Sequence, residues 1–451
     1  MKIERWRRWL WTRLFGKDRE KSFVFHVTLL TGGTLVGQGL LVLLSPVLSR
    51  LYTPSAFGVF GEFISVAGVL AAVATFRYEL AIPLPSEEED AFSLAWGGAL
   101  VSGAFSLLLF VLVLLAGERA LVLFNIHLKT LEHQRLLLWA LPFGVWFQAL
   151  YQVITFLLIR YKRYRALAGS KVAAGGAAGF AQVGFGLFSS GGWGLIFGWM
   201  IGRLGAVGVG VVAERGKGNE AGSRRVFPRL NSVAREMKRY IRFPLLAMPA
   251  GLMNKLAMEL PMLLSAPFFG LQVAGWFSFA RRAIYSPMGL LGRSISQVYV
   301  GSLGEAISKR DEAAVVLFDR LSRRLFLASV IPFAVLGITA PFLFALIFGK
   351  PWRTSGILVQ YLTPAYLAQF VMVPLSQTLN MLEKQDWQVA WDGMRLVLVG
   401  GLFFLAKVLA WDFRRTFLLY SAVLTIMYFV LYLLMRRALV RWAASRPVGG
   451  E

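Results

Sequence analysis

Cysteine is absent from this 451-residue chain, and histidine occurs only three times. The first absence excludes disulfides, thiolate chemistry and cysteine-based metal sites. The second leaves little for a metal centre. His127 and His133 lie six apart in a polar stretch without a carboxylate cluster, which is not the spacing of a zinc site, and His26 stands alone. No metal and no cofactor is expected. Acidic residues are scarce too, 24 against 48 Lys and Arg, for a formal net charge of +24. Also missing is a polar stretch large enough for a separate catalytic domain. The longest, residues 214–243, is mostly basic. There is no nucleophile elbow and no zinc-protease helix motif. The Gly clusters follow no strand, so phosphate-loop readings fail on context.

What the chain has in quantity is apolar residues. It is 57% hydrophobic with a mean hydropathy of +0.61, more than a soluble protein of this size can hide from water. The apolar runs reach about 20 residues or more, the length of a transmembrane helix. A transmembrane barrel would instead show short alternating segments. Twelve spans are predicted, over residues 24–49, 57–83, 91–116, 136–159, 166–189, 193–213, 244–268, 273–299, 324–348, 356–381, 388–410 and 415–436. The fold class is therefore an all-α polytopic membrane protein. The first run is too long for a signal-peptide core and lacks a small-residue cleavage site.

Lys and Arg are unevenly shared between alternate loops. The N-terminus, residues 160–165, 214–243 and 301–323, and Arg436-Arg437 fall on one side and hold most of the basic residues. That bias places both termini in the cytoplasm. The positive charge then reports topology, and no nucleic-acid partner is expected. Residues 214–243 divide the chain into an N-lobe (23–213) and a C-lobe (244–436), flanked by a basic N-terminal segment (1–22) and a tail (437–451). In the N-terminal segment Ile3, Trp6, Leu10 and Leu14 share one helical face, as in an interfacial helix or a basic anchor. Six spans per lobe make any internal repeat parallel. Phe57-Gly58-Val59-Phe60 and Ala274-Gly275-Trp276-Phe277 are a short match at corresponding places.

Eight of the cations inside the spans stand out: Arg77, Arg203, Lys255, Arg281, Arg282, Arg293, Arg395 and Lys407. A cation at the hydrocarbon centre costs roughly 2.5–3.5 kcal/mol, so eight facing lipid would cost about 20 kcal/mol or more. The less costly arrangement turns them inward, onto a water-filled lumen suited to an anionic cargo. Arg282 and Arg293 are eleven residues apart, about 20° off one helical face. Ser286, Gly289 and Gln297 continue that stripe, and Arg281 lies beside it. A track that binds phosphate fits these residues. So does snorkelling of Arg293 with Arg281 and Arg282 paired to carboxylates. Lys255 and Glu259 are one turn apart and can pair, either as a static contact or as a switch coupling cargo to an ion. Pro249, Pro261 and Pro267 predict a bent helix around them. Arg77 and Glu79 suit the inner mouth of the cavity or an interfacial anchor. Glu62 is a membrane carboxylate, by default a proton site, unless it is wetted at the outer interface. Asp392 and Arg395 read as a structural pair. The Gly-x-x-x-Gly spacings at Gly33, Gly175 and Gly198 read as helix packing.

Leu48-Ser49-Arg50-Leu51-Tyr52-Thr53-Pro54, then Phe57-Gly58, then Arg77-Tyr78-Glu79-Leu80-Ala81-Ile82 resemble the opening of polysaccharide transport proteins, the flippases for lipid-linked O-antigen and capsule oligosaccharides. Ala274 to Arg282, with Pro287 and Ser294-Ile295-Ser296-Gln297-Val298-Tyr299, resemble the same family's eighth helix. The resemblance implies two six-helix bundles facing each other across a central cavity, as in multidrug and toxin extrusion transporters. It implies a cargo of oligosaccharide on an undecaprenyl pyrophosphate carrier, with the lipid tail left in the bilayer. On that footing Arg281, Arg282 and Lys255 hold the headgroup, and Arg77 and Arg293 receive it. Glu259, Glu62 and Glu79 are candidates for coupling to H+ or Na+. Membrane lipids and other polysaccharide assembly proteins are the expected partners. A cation-coupled drug exporter of the same fold would need an acidic cavity, whereas cations dominate here. A polytopic glycan polymerase or ligase would be expected to carry a large external loop.

Overall fold

The computed structural model describes residues 32–116, 134–189, 191–216, 228–308 and 313–444. The N-terminal segment 1–22, the three histidines, residues 217–227 of the linker and residues 445–451 of the tail lie outside them. The described residues form helices and their connections. In a bilayer a helix satisfies every backbone N–H and C=O within its own segment. The first six long helices are α1 (Gly32–Leu51), α2 (Pro54–Ala74), α3 (Glu88–Ala116), α4 (Gln134–Arg160), α5 (Tyr164–Phe188) and α6 (Gly192–Gly216). A short helix, α7 (Leu230–Arg239), occupies the linker. The second six are α8 (Met248–Phe269), α9 (Leu271–Ser308), α10 (Ala313–Phe348), α11 (Arg353–Met372), α12 (Gln385–Val408) and α13 (Phe413–Ala444).

Nine of these helices, among the described residues, are long and apolar enough to cross a membrane. The other three long ones are α5, α8 and α9. Ala and Gly dilute α5, while Lys255, Glu259, Arg281, Arg282 and Arg293 interrupt α8 and α9. The chain is a multi-pass membrane protein.

Within the first bundle α1 packs on α5, α2 on α4 and α6, α3 on α4, α4 on α6 and α5 on α6. Within the second, α8 packs on α12, α9 on α11, α10 on α11, α11 on α13 and α12 on α13. Most pairs in one half thus have a counterpart seven labels away in the other. The halves meet where α2 lies against α8 and α9, and where α1 touches α10.

Small residues make that seam. Gly58, Gly61, Ser65 and Gly68 recur on α2 at helical spacing, so they share one face. A Cβ on Gly58 would collide with the carbonyl oxygen of Leu271, and one on Gly275 with that of Pro54. The two glycines sit at corresponding places in the halves, and each lies against the other's backbone nitrogen. Next to them Trp352, fully buried, comes from the second bundle and donates its indole N–H to the carbonyl of Ser49 at 2.8 Å. Its ring lies 4.1 Å from Phe279 and meets Phe57 edge-on at 5.2 Å. This aromatic group closes one end of the seam.

Several elements depart from the sequence-based boundaries. α2 stops at Ala74 instead of running to residue 83. Phe76 and Arg77 are left-handed (φ 48° and 61°), and Tyr78–Ala81 form a 3-10 turn. The Thr75 hydroxyl donates to Glu79 at 2.5 Å and holds the turn. α8 is entered through a π-helical turn, Phe243–Ala247, that contains Pro244. The linker contains α7, whose Val233 and Glu236 are buried. Met237 fills the space that a side chain on Gly97 of α3 would need. Arg235 bridges from α7 to Asp90 at 2.9 Å. α9 and α10 are 38 and 36 residues long, about 55 Å at 1.5 Å per residue. They outrun a hydrocarbon core of about 30 Å.

Candidate functional site

The densest polar cluster on the seam centres on Glu259 of α8. α8 winds Lys255 one turn before it, and the Lys255 ammonium donates to one carboxylate oxygen at 2.8 Å. The other oxygen takes the Arg281 guanidinium from α9 at 2.7 Å and the Ser65 hydroxyl from α2 at 3.0 Å. Three helices and both bundles thus converge on one carboxylate. The Glu259 side chain is only 7% exposed, whereas those of Lys255 and Arg281 are 33% and 23% exposed. The cations are partly exposed, while the carboxylate is buried. Lys255 reaches across Gly68 of α2, close to where a Cβ would stand. Arg281 also lies 5.7 Å from the centre of the Tyr285 ring, and Tyr285 meets Tyr366 edge-on. Two cations against one carboxylate leave the cluster net positive.

Arg282, next in α9, points elsewhere. Its guanidinium lies 5.9 Å from the Phe57 ring centre, and its buried Nη2 has no hydrogen-bond partner among the described residues. Arg203 of α6 stacks on Tyr151 at 4.7 Å and on Trp199 at 5.3 Å, with its Nε also unpartnered. A desolvated guanidinium held by rings retains its charge for an anion.

A second cluster lies deeper in the second bundle. Asp392 of α12 accepts from Arg395 at 2.8 Å, from Asn254 of α8 at 2.9 Å and from Gln388 at 3.3 Å. Both charged partners are buried, and the Arg395 guanidinium covers the Trp391 ring at 4.6 Å. This geometry ties α8 to α12.

The remaining candidates are dispersed. Arg77 pairs with Glu79 at 3.6 Å, and its guanidinium covers Gly251, one turn before Lys255. Arg293 is exposed. Lys171 of α5, in the other half, donates to the Thr34 hydroxyl at 3.0 Å. Glu62 is buried on α2, and no hydrogen bond or ion pair reaches it among the described residues. Lys407 is exposed beside the Phe268 ring, 5.5 Å away. Lys255, Glu259 and Arg281 therefore come together, with Arg282 nearby on the next helical face and Arg77 beyond Gly251. Arg293 and Glu62 stand apart.

Ser65, Lys171 and Asn254 carry polar contacts that the charged-residue pattern passes over. Ser65 had one signal, its place in the small-residue stripe of α2. Lys171 lies in a predicted span among Ala and Gly. Nothing in the local sequence marks Asn254.

Two six-helix bundles with a cation-rich seam define a class of multi-pass membrane protein. Residues 47–356 match the family described as polysaccharide biosynthesis protein, and the chain belongs to that family. No curated protein sequence matches it. Its fold is similar to that of the lipid II flippase MurJ in an inward closed conformation, with a TM-score of 0.66 and 12% identity over 93% of this chain and 90% of that one. It is also similar to an inward-facing multidrug resistance MATE family transporter of the MOP superfamily, at 0.56 and 12% over 92% and 96%. A MOP superfamily transporter from Pyrococcus furiosus, described with a binding pocket of reverse polarity, gives 0.54 and 14% over 92% and 96%.

Proposed function

We propose that this protein is a flippase that carries oligosaccharide linked to a polyprenyl pyrophosphate across the inner membrane for surface polysaccharide assembly. The observation that carries this reading is the net positive cluster of Lys255, Glu259 and Arg281 on the seam between the bundles, with the unpaired Arg282 beside it. A pyrophosphate is the anion such a cluster attracts, and guanidinium groups bind phosphate oxygens in a fork. Sugars and headgroup pass along the seam while the tail stays in lipid. The two bundles rock about the site in alternating access. Membership of a polysaccharide biosynthesis family and a fold shared with a lipid II flippase support the choice of cargo class.

In this reading Arg281, Arg282 and Lys255 hold the headgroup. Arg77 and Arg293 receive it. Both termini and the basic linker face the cytoplasm. An ion gradient, H+ or Na+, supplies the energy, and Glu259, Glu62 and Glu79 are the coupling candidates. The domain division is an N-lobe at 23–213, a linker at 214–243 and a C-lobe at 244–436. A drug exporter is disfavoured because its cargo is usually cationic and this seam is not acidic.

The test is flipping of a fluorescent undecaprenyl pyrophosphate-linked oligosaccharide in proteoliposomes. Wild-type protein is expected to expose the label to an external quencher. The Arg281→Ala/Arg282→Ala double variant is expected to lose at least 10-fold in rate, the scale of one or two lost charge-assisted hydrogen bonds. Full activity in that variant would remove the two arginines from the mechanism. No flipping by the folded wild type would reject the cargo.

A further inference from the structure

A partly exposed cationic cluster in a membrane protein faces a competition problem. The surrounding lipid includes phosphodiester headgroups with one negative charge each, far more numerous than any lipid-linked oligosaccharide. Bare Lys and Arg side chains would bind them. In this structure the two cations are not bare. Glu259 occupies them both, with one oxygen on Lys255 and the other on Arg281. Ser65 donates to the second oxygen from the opposite bundle.

We infer that Glu259 is a tethered competitor in the headgroup site, holding Lys255 and Arg281 against singly charged phosphodiesters and yielding only to a headgroup with two or more negative charges. The inference rests on the cargo class proposed above and adds a selectivity element to it.

The physical basis is an exchange. A covalently tethered carboxylate competes at an effective concentration on the order of millimolar or higher. An incoming monoanion replaces one negative charge with one and gains nothing electrostatically. A pyrophosphate brings at least two charges and spans both cations. Geometry favours the exchange from one side, because the cations are several-fold more exposed than the carboxylate they cover. Displacing Glu259 also breaks its hydrogen bond with Ser65, which joins α2 to α8. Headgroup capture thereby loosens the seam between the bundles.

The test measures direct binding of two soluble probes to the purified full chain in nanodiscs: farnesyl pyrophosphate, and a short-chain phosphatidylglycerol as the phosphodiester. Wild-type protein is expected to bind the pyrophosphate and not the diester. Glu259→Gln keeps a hydrogen-bond acceptor and removes the charge. It is expected to gain about 10-fold or more in diester affinity and only a few-fold in pyrophosphate affinity, the scale set by removing a tethered competitor. Ser65→Ala is expected to shift both in the same direction by less, and it serves where Glu259→Gln does not fold. Unchanged selectivity in both variants while the wild type binds pyrophosphate would overturn the inference and leave the proposed cargo standing. Equal loss of both ligands in Glu259→Gln would also overturn it, since a purely structural carboxylate gives that result. A diester gain in Glu259→Gln when the wild type ignores pyrophosphate would support the filter and reject the pyrophosphate cargo.

Discussion

At the scale of single residues, the chain separates cations that tie helices together from cations left free. Asp392 and Arg395 are both buried, and the carboxylate is further held by Asn254 and Gln388. Removing one partner of such a pair strands the other charge in a dry interior, at a cost of about 3–5 kcal/mol. Arg395→Ala is therefore expected to lower the thermal unfolding temperature in detergent by several degrees. An apolar pair, Asp392→Leu with Arg395→Met, should recover much of the loss. If Arg395→Ala melts like the wild type, the pair is not a structural tie. The Asp392–Arg395 and Lys255–Glu259 pairs are legible in the sequence, because i,i+3 and i,i+4 spacings place side chains together on one helix. The second and third partners of Glu259, Arg281 and Ser65, are not. Ser65 lies 194 residues away, and no periodicity within α8 points to it. Arg281 and Arg282 look equivalent in the sequence. One is neutralised by Glu259 and the other keeps a buried unpartnered nitrogen, a difference set by the 100° turn between neighbours on a helix.

At the scale of elements, glycine decides how closely the bundles approach. Gly275 has no room for a side chain, whereas a Cβ on Gly289 of the same helix meets nothing within 4 Å. Gly275→Leu is expected to force α2 and α9 apart and destabilise the protein by about 1–3 kcal/mol, the usual range for overpacking. Gly289→Ala is expected to be neutral or stabilising by about 0.5–1 kcal/mol, since Gly weakens a helix interior. Comparing the two by thermal unfolding separates close packing from helix propensity, and equal effects would argue against the tight seam. Span positions were legible from hydropathy because bilayer thickness fixes helix length. The stop of α2 at Ala74 was not. It depends on Thr75 binding Glu79 and on two left-handed residues, which hydropathy does not register. α7 was missed because the linker reads as a basic run. Its Val233 and Met237 become a packing face only where Gly97 leaves a hollow.

At the scale of the whole molecule, the halves are joined by long-range contacts that the proposed rocking motion would break. The Trp352 indole reaches Ser49 across a separation of 303 residues and packs on Phe57 and Phe279. The absence of cysteine makes a single introduced thiol a clean reporter. Ala56 is buried near this end of the seam. In an Ala56→Cys background, a membrane-impermeant thiol reagent is expected to label slowly, and Trp352→Ala should speed labelling several-fold. Trp352→Phe keeps a ring and loses one hydrogen bond of about 0.5–1.5 kcal/mol, so a smaller increase is expected. Unchanged labelling in Trp352→Ala would show that the aromatic group does not hold this end closed. The two-bundle plan was within reach of the sequence through the helix count and the family resemblance. The contact of Gly58 with Gly275 was foreshadowed only by the short match between the two halves.

The sequence by itself determined that the chain is helical, crosses the membrane many times and carries buried cations, because those properties follow from composition and spacing along one strand of chain. Only the tertiary structure decided which cations share a carboxylate, which is left unpaired and where the bundles touch. Charges interact over a few ångströms, and those separations arise when helices distant in sequence pack side by side.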